Sequence, residues 1–185
     1  GIGTPTSKLH VKGDSIVTGV STAGIVTATH IFADRYHGDQ NNNFYAGPFT
    51  GTGAAGITSG ANSNIGIGNS ALISISSGEK NIALGCRSGR QLTSGRHNVL
   101  MGSASGCSVT TGDDNIFLGF VAGRHISTGS GNVAIGDNAF RLQSGASGTQ
   151  AGASSFNTVL GQASGQFGFT GSCNAVSYTH LTLPT

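Results

Sequence analysis

Apolar and polar positions recur in this chain at a fixed interval. The phrases NIGIG, NIALG, NVLMG, NIFLG and NVAIG open at Asn64, Asn81, Asn98, Asn115 and Asn132, each 17 residues after the last. The phrase returns as NTVLG at Asn157 after 25 residues, and Asn174 follows 17 further on. A fixed internal period denotes a solenoid or repeat array. Numbered from its Asn, each unit is apolar at positions 2 and 4: Ile65/Ile67, Ile82/Leu84, Val99/Met101, Ile116/Leu118 and Val133/Ile135. A spacing of two puts both on one face of a strand, and that face is expected to be the inner core. Position 12 supplies a second apolar column, Ile75, Leu92, Val109 and Ile126. Gly recurs at positions 5 and 15, where chain reversal favours positive φ. Each unit thus reads as strand, turn, strand, turn.

Position 3 complicates this simple alternation. It carries Gly66, Ala83, Leu100, Phe117, Ala134 and Val159, on the strand face opposite positions 2 and 4. A solvent-facing column should be polar, so the strand is expected to be covered on both sides, with a subunit interface running along the outer one. An exposed, uncharged surface is the alternative. One coil buries too few aliphatic side chains to offset the entropy of ordering it, so coils need stacked neighbours. Stacking would bring equivalent residues about 4.8 Å apart. It sets Glu79, Arg96 and Asp113 in one column and Lys80, His97 and Asp114 in the next, as charge ladders that mark register.

The units outside the strict repeat differ in character. Residues 1–38, rich in Val, Thr and Ile, predict a β-strand stem. Residues 39–63 form a turn-rich bridge in which Asn43, opening NFYAG, begins an imperfect coil. The solenoid proper spans 64–175. The eight extra residues within RLQSGASGTQAGASSF predict a surface loop. The closing stretch 176–185 breaks the repeat and resembles translated sequencing-adapter sequence, so a non-native tail is expected there.

Composition narrows the class. Gly accounts for 32 of 185 residues, charged residues for 9 %, and Trp is absent. Disorder would share the low charge but not the regularly placed Ile, Val and Leu. A formal net charge of +2 predicts no general attraction to nucleic acid or anionic membrane. No run reaches the ~18 apolar residues of a membrane span. Cys86, Cys107 and Cys173 are odd in number and unrelated in spacing, and read as free thiols. Gly51, Gly53 and Gly56 spell G-x-G-x-x-G, but the dinucleotide motif needs a following helix and an acidic residue about 20 positions on; Ser76 stands nearest that position.

Chemistry-bearing sets are sparse. The six histidines share no repeat position, and seven Asp and Glu are too few for repeated calcium-binding loops, so neither metal nor cofactor is expected. Asp113 and Asp114 are the only adjacent acidic pair, and no catalytic activity is expected. The other-class alternative is a polysaccharide-degrading enzyme on a β-solenoid. Thr93, Thr110, Thr111 and Thr128 lack the alternation of an ice-binding array. Arg90, Arg124 and Arg141 share position 10 and form either a basic edge suited to an anionic glycan or simply solvated turn residues.

The phrases NIALG...LTSG, NVLMG...VTTG and NIFLG...ISTG resemble the N-x-A-I-G repeats of trimeric autotransporter adhesin heads and the related β-roll segments of bacteriophage tail fibres. The opening GIGTPTSKLHVKG is similar to strand-rich stems of phage structural proteins. The resemblance implies an all-β fold, a left-handed parallel β-roll or β-solenoid of 17-residue coils, associated as a homotrimer. It further implies a fibre segment on a virion, or on a bacterial outer surface as the alternative, that contacts a host-cell glycan or protein receptor. The 17-residue period is longer than the repeat usual in adhesin heads.

Overall fold

Each N-x-x-x-G phrase folds into a three-residue strand closed by its glycine. The structure, a computed structural model, describes residues 36–38, 41–47, 60–141, 153–165 and 172–177, all within one compact unit, Ala33–Thr185. The strands are β1 (Tyr36–Gly38), β2 (Phe44–Ala46), β3 (Ile65–Ile67), β4 (Ile82–Leu84), β5 (Val99–Met101), β6 (Ile116–Leu118), β7 (Val133–Ile135), β8 (Thr158–Leu160) and β9 (Ala175–Ser177). They form one sheet in chain order. β1 is antiparallel to β2, and β2 through β9 are parallel, with each residue lying on its equivalent in the next coil, as in Ala83↔Leu100 and Leu100↔Phe117. The chain is an all-β solenoid of 17-residue coils, with no α-helix among the described residues.

The stack begins earlier and ends later than the strict repeat. Asn43 takes the first rung, 21 residues before Asn64, and β9 includes Val176 and Ser177. The expected stem before Tyr36, the Gly51 to Gly56 motif, the insertion loop and the rest of the tail lie outside the described residues.

The expected inner core is turned inside out. Tyr45, Ala83, Leu100, Phe117, Ala134 and Val159, all at position 3, are 0 % exposed. The side chains at positions 2 and 4 point outward. Alternation could not choose between two apolar faces; volume does. Position 9 also points inward, and where one of positions 3 and 9 is large the other is small; both are small in the Ala83/Gly89 coil, where Leu72 and Leu100 of the neighbouring coils close in on Gly89. Gly66 is paired with Leu72 and Ala134 with Phe140, whereas Leu100 and Phe117 share their coils with Gly106 and Gly123. A Cβ on Gly106 would stand 2.7 Å from a Leu100 methyl, and one on Gly123 would enter the Phe117 ring. With position 12 and the small residues at position 8, these side chains make one continuous core.

The repeated Asn is buried on the same inward face from Asn43 to Asn157, and from Asn64 to Asn157 its side-chain amide makes a full set of hydrogen bonds. In the middle of the stack, Asn98 Nδ2 donates to Asn81 Oδ1 at 3.0 Å and to the Gly112 carbonyl at 2.8 Å. Asn98 Oδ1 in turn accepts the Asn115 backbone amide at 3.1 Å and Asn115 Nδ2 at 2.9 Å. The side-chain ladder runs unbroken from Asn43 to Asn174. Two donors and two acceptor lone pairs are all the amide has, so nothing remains unpaired.

Glycine at position 5 does take positive φ, between +108° and +134° from Gly47 to Gly161. Position 15 is different. Gly78, Gly95, Gly112 and Gly129 have ordinary φ, but a Cβ there would collide with the carbonyl of the next coil. Close coil-to-coil approach, not chain reversal, therefore requires that glycine. Gly112→Ala should cost about 1–3 kcal/mol as overpacking, in place of the ~0.4–1 kcal/mol gain of an unstrained Gly→Ala change. Urea denaturation followed by circular dichroism measures it.

The second strand expected near position 12 does not form. There one carbonyl gathers several donors: the amides of Ser76, Ser77 and Gly78 reach Thr93 O at 2.9, 3.0 and 3.1 Å, as does Ser76 Oγ at 3.1 Å. Converging donors require a bend, where an extended ladder would space them evenly. Further straps cross between coils at positions 2, 5, 7, 9 and 17, so the backbone is bonded to its neighbours around the whole circumference.

Candidate functional site

The outward side chains of the sheet make one apolar face. Its two columns rise side by side from Phe44/Ala46 through Ile65/Ile67, Ile82/Leu84, Val99/Met101, Ile116/Leu118 and Val133/Ile135 to Thr158/Leu160. Phe44, Ile65, Ile67, Met101, Ile116, Ile135 and Leu160 are 38–43 % exposed, although no polar residue separates them along the stack before Thr158. The six intervals from β2 to β8 give a length of about 29 Å at ~4.8 Å per rung. Phe120, directly after the position 5 glycine, and Phe156, directly before Asn157, are exposed at 54 and 65 %. Parallel sheets are normally covered on both faces, and a contiguous apolar patch of this kind marks an interaction surface.

The charged turn at positions 16 and 17 is organised by backbone as much as by charge. Asp113 Oδ1 accepts the Arg96 amide at 2.7 Å, and the Asp113 amide donates to Ser130 Oγ at 2.9 Å. Among the described residues the side chains of Glu79, Arg96 and Asp113 form no ion pair, so the expected ladder in that column is replaced by oxygens that receive amides from the coil before. In the neighbouring column His97 Nδ1 meets Asp114 Oδ1 at 3.2 Å. Both side chains are largely exposed, which limits such a pair to under about 1 kcal/mol.

Position 10 places Arg90, Arg124 and Arg141 in one column, but not on successive rungs. Arg90 is exposed and separated from Arg124 by the Cys107 coil, while Arg124 and Arg141 lie on adjacent coils and are partly buried. Arg141 Nη1 donates to Asn138 Oδ1 at 3.3 Å. His125, beside this pair, is held below the ordinary histidine range, first by its own burial and then by the Arg124 and Arg141 charges. Sequence spacing marks the arginine column but not His125, whose position carries Ser74, Gln91 and Ser108 in the three preceding coils.

The described residues contain no group of three His, Cys, Asp or Glu able to hold a metal ion. Cys86, Cys107 and Cys173 form no disulfide among the described residues, and Cys86 and Cys173 are exposed. No described helix is long and apolar enough to cross a membrane. No protein-family profile, curated protein or solved structure matches the chain.

Proposed function

We propose that this chain is a rigid segment of a homotrimeric surface fibre, three solenoids associated through their outer sheet faces, that holds a receptor-binding surface away from a particle or cell. The observation that carries the reading is the unbroken two-column apolar face. Such a face gains by excluding water against a like surface, and an interface of standard size needs about 800 Å² per partner, which a face about 29 Å long with its aromatic rim approaches. The circumferential backbone bonding and the buried amide ladder supply stiffness along the axis. Three copies on one fibre would turn a weak contact with a host-cell glycan or protein into attachment by multivalency.

The repeat resemblance makes a phage tail fibre the preferred setting and a bacterial trimeric adhesin head the alternative. Sedimentation velocity across a concentration series is the test. A species of three times the 18.4 kDa chain is expected, and Met101→Lys with Leu118→Lys should reduce it to monomer without loss of fold. A wild-type chain that stays monomeric throughout the series would refute the reading.

A further inference from the structure

The coil edge at positions 7, 10 and 11 concentrates positive charge. Arg87 and Arg90 stand on one coil, Arg124 and His125 two coils on, and Arg141 on the coil after that. None of these arginines forms an ion pair among the described residues. No Asp or Glu lies between Asp137 and Thr185 in the sequence. Asp137 is the acidic residue nearest in sequence, and one of its oxygens accepts the Phe120 amide at 3.0 Å. On the opposite turn, by contrast, Glu79, Lys80, Arg96, Asp113 and Asp114 mix signs within a few rungs.

What lies between the arginines suggests the kind of polyanion. Gln91 and Ser108 flank the column at position 11 and Cys107 interrupts it, and from Arg90 to Arg141 positions 10 and 11 carry no Phe, Tyr or Trp. Single-stranded nucleic acid is held by stacking on aromatic rings, of which this stretch offers only the partly buried His125 imidazole, whereas a hydroxyl-rich polymer is suited by neutral amide and hydroxyl groups set beside cations.

We propose that this edge binds an anionic polysaccharide laid along the solenoid axis, with acidic groups meeting Arg124 and Arg141 on adjacent rungs and Arg90 two rungs below. The inference rests on the fibre reading and names the chemistry of its receptor. The rungs repeat at about 4.8 Å, so the cations form a linear track and not a single pocket. Because the edge is separate in the coil from positions 2 and 4, ligand and partner chains do not compete for the same side chains. The burial and the two arginines that disfavour protonation of His125 add a pH dependence. The charged groups acting on it are Arg124 and Arg141; Cys107, one coil below Arg124, sets its thiol 3.9 Å from the Arg124 carbonyl, and positions 10 and 11 carry no carboxylate. A bound polyanion offsets the arginine charges and lets the imidazole protonate, so affinity rises as pH falls.

The test titrates the full chain with dextran sulfate, hyaluronate, neutral dextran and a single-stranded oligonucleotide, at about 0.05 and 0.5 M salt. Both acidic polysaccharides are expected to bind at low salt and neutral dextran not to bind. Their relative affinities distinguish sulfate from carboxylate as the preferred group. Arg124→Gln with Arg141→Gln should weaken binding roughly tenfold or more, while Arg124→Lys with Arg141→Lys retains most of it. Arg96→Gln, on the other turn, should leave it unchanged, and wild-type affinity should increase from about pH 7.5 to 5.5. Failure of both acidic polymers to bind, an equal loss in Arg96→Gln, or tighter binding of the oligonucleotide would overturn the proposal. Sedimentation of the same samples separates the two readings: a monomer that binds sinks the fibre and leaves the track, and a trimer that does not bind sinks the track alone.

Discussion

Asn98→Asp is expected to leave the solenoid unfolded, or close to it, at neutral pH. The two side chains are nearly isosteric, so packing is preserved and only the hydrogen-bonding character changes. The wild-type Nδ2 donates to Asn81 Oδ1 and to the Gly112 carbonyl. A carboxylate oxygen in its place would face two acceptors in a site that is 0 % exposed. An unpaired buried charge of this sort costs several kcal/mol, against a typical total stability of about 5–15 kcal/mol. In a repeat array the damage also falls on the interfaces with both neighbouring coils.

Asn98→Ala, which removes the same bonds without adding charge, should be milder, at about 2–5 kcal/mol. The pH dependence separates the two variants. A carboxyl that folding deprives of water and donors has its pKa raised in the folded state, so the folded form binds the proton more tightly than the unfolded one. Asn98→Asp should therefore recover stability, relative to wild type, as the solution is acidified, and Asn98→Ala should not. Thermal denaturation by circular dichroism at about pH 7 and pH 4 measures both, and an Asn98→Asp protein as stable as wild type at neutral pH would remove the amide ladder from the account.

Much of the architecture is legible because it repeats. The 17-residue interval fixes where coils begin, the apolar pair at positions 2 and 4 marks a strand, and Ile75, Leu92, Val109 and Ile126, the second apolar column, are buried. The inward face of the strand was harder to read, since hydrophobicity alone cannot rank Ile82 and Leu84 against Ala83. The information was present in the inverse sizes of positions 3 and 9, but it becomes meaningful only once both are known to enter one space. The left-handed backbone at position 17, held by Lys80, His97, Asp114 and Phe156 at φ 56–57°, carried no sequence signal. Asp and His are enriched in that conformation but Lys and Phe are not; the hydrogen bond from each backbone amide to the preceding coil stabilises it. The arginine column is legible from spacing, whereas the imbalance of charge around it depends on which turn the acids occupy, and Glu79, Asp113 and Asp114 lie on the other one.

Phe117→Asp is the second large effect. Phe117 and Ile116 are adjacent in β6 but project to opposite sides of the sheet, Phe117 at 0 % and Ile116 at 38 % exposure. Removing a buried Phe side chain alone costs about 3–5 kcal/mol. Here the loss would be compounded by a desolvated carboxylate, because the ring fills the space left by Gly106 and Gly123 and is 0 % exposed. The same charge at position 116 remains in solvent in the single chain. It becomes buried only if another chain covers the face, so it should spare the fold and abolish association.

Thermal unfolding of Ile116→Asp and Phe117→Asp, followed by far-ultraviolet circular dichroism at a concentration low enough to keep the chain monomeric, tests the central claim most directly. The expected result is a cooperative transition close to that of the wild-type monomer for Ile116→Asp and no folded baseline for Phe117→Asp. A folded Phe117→Asp beside an unfolded Ile116→Asp would mean that positions 2 and 4 form the core after all, and would contradict the account of both the fold and its outer face.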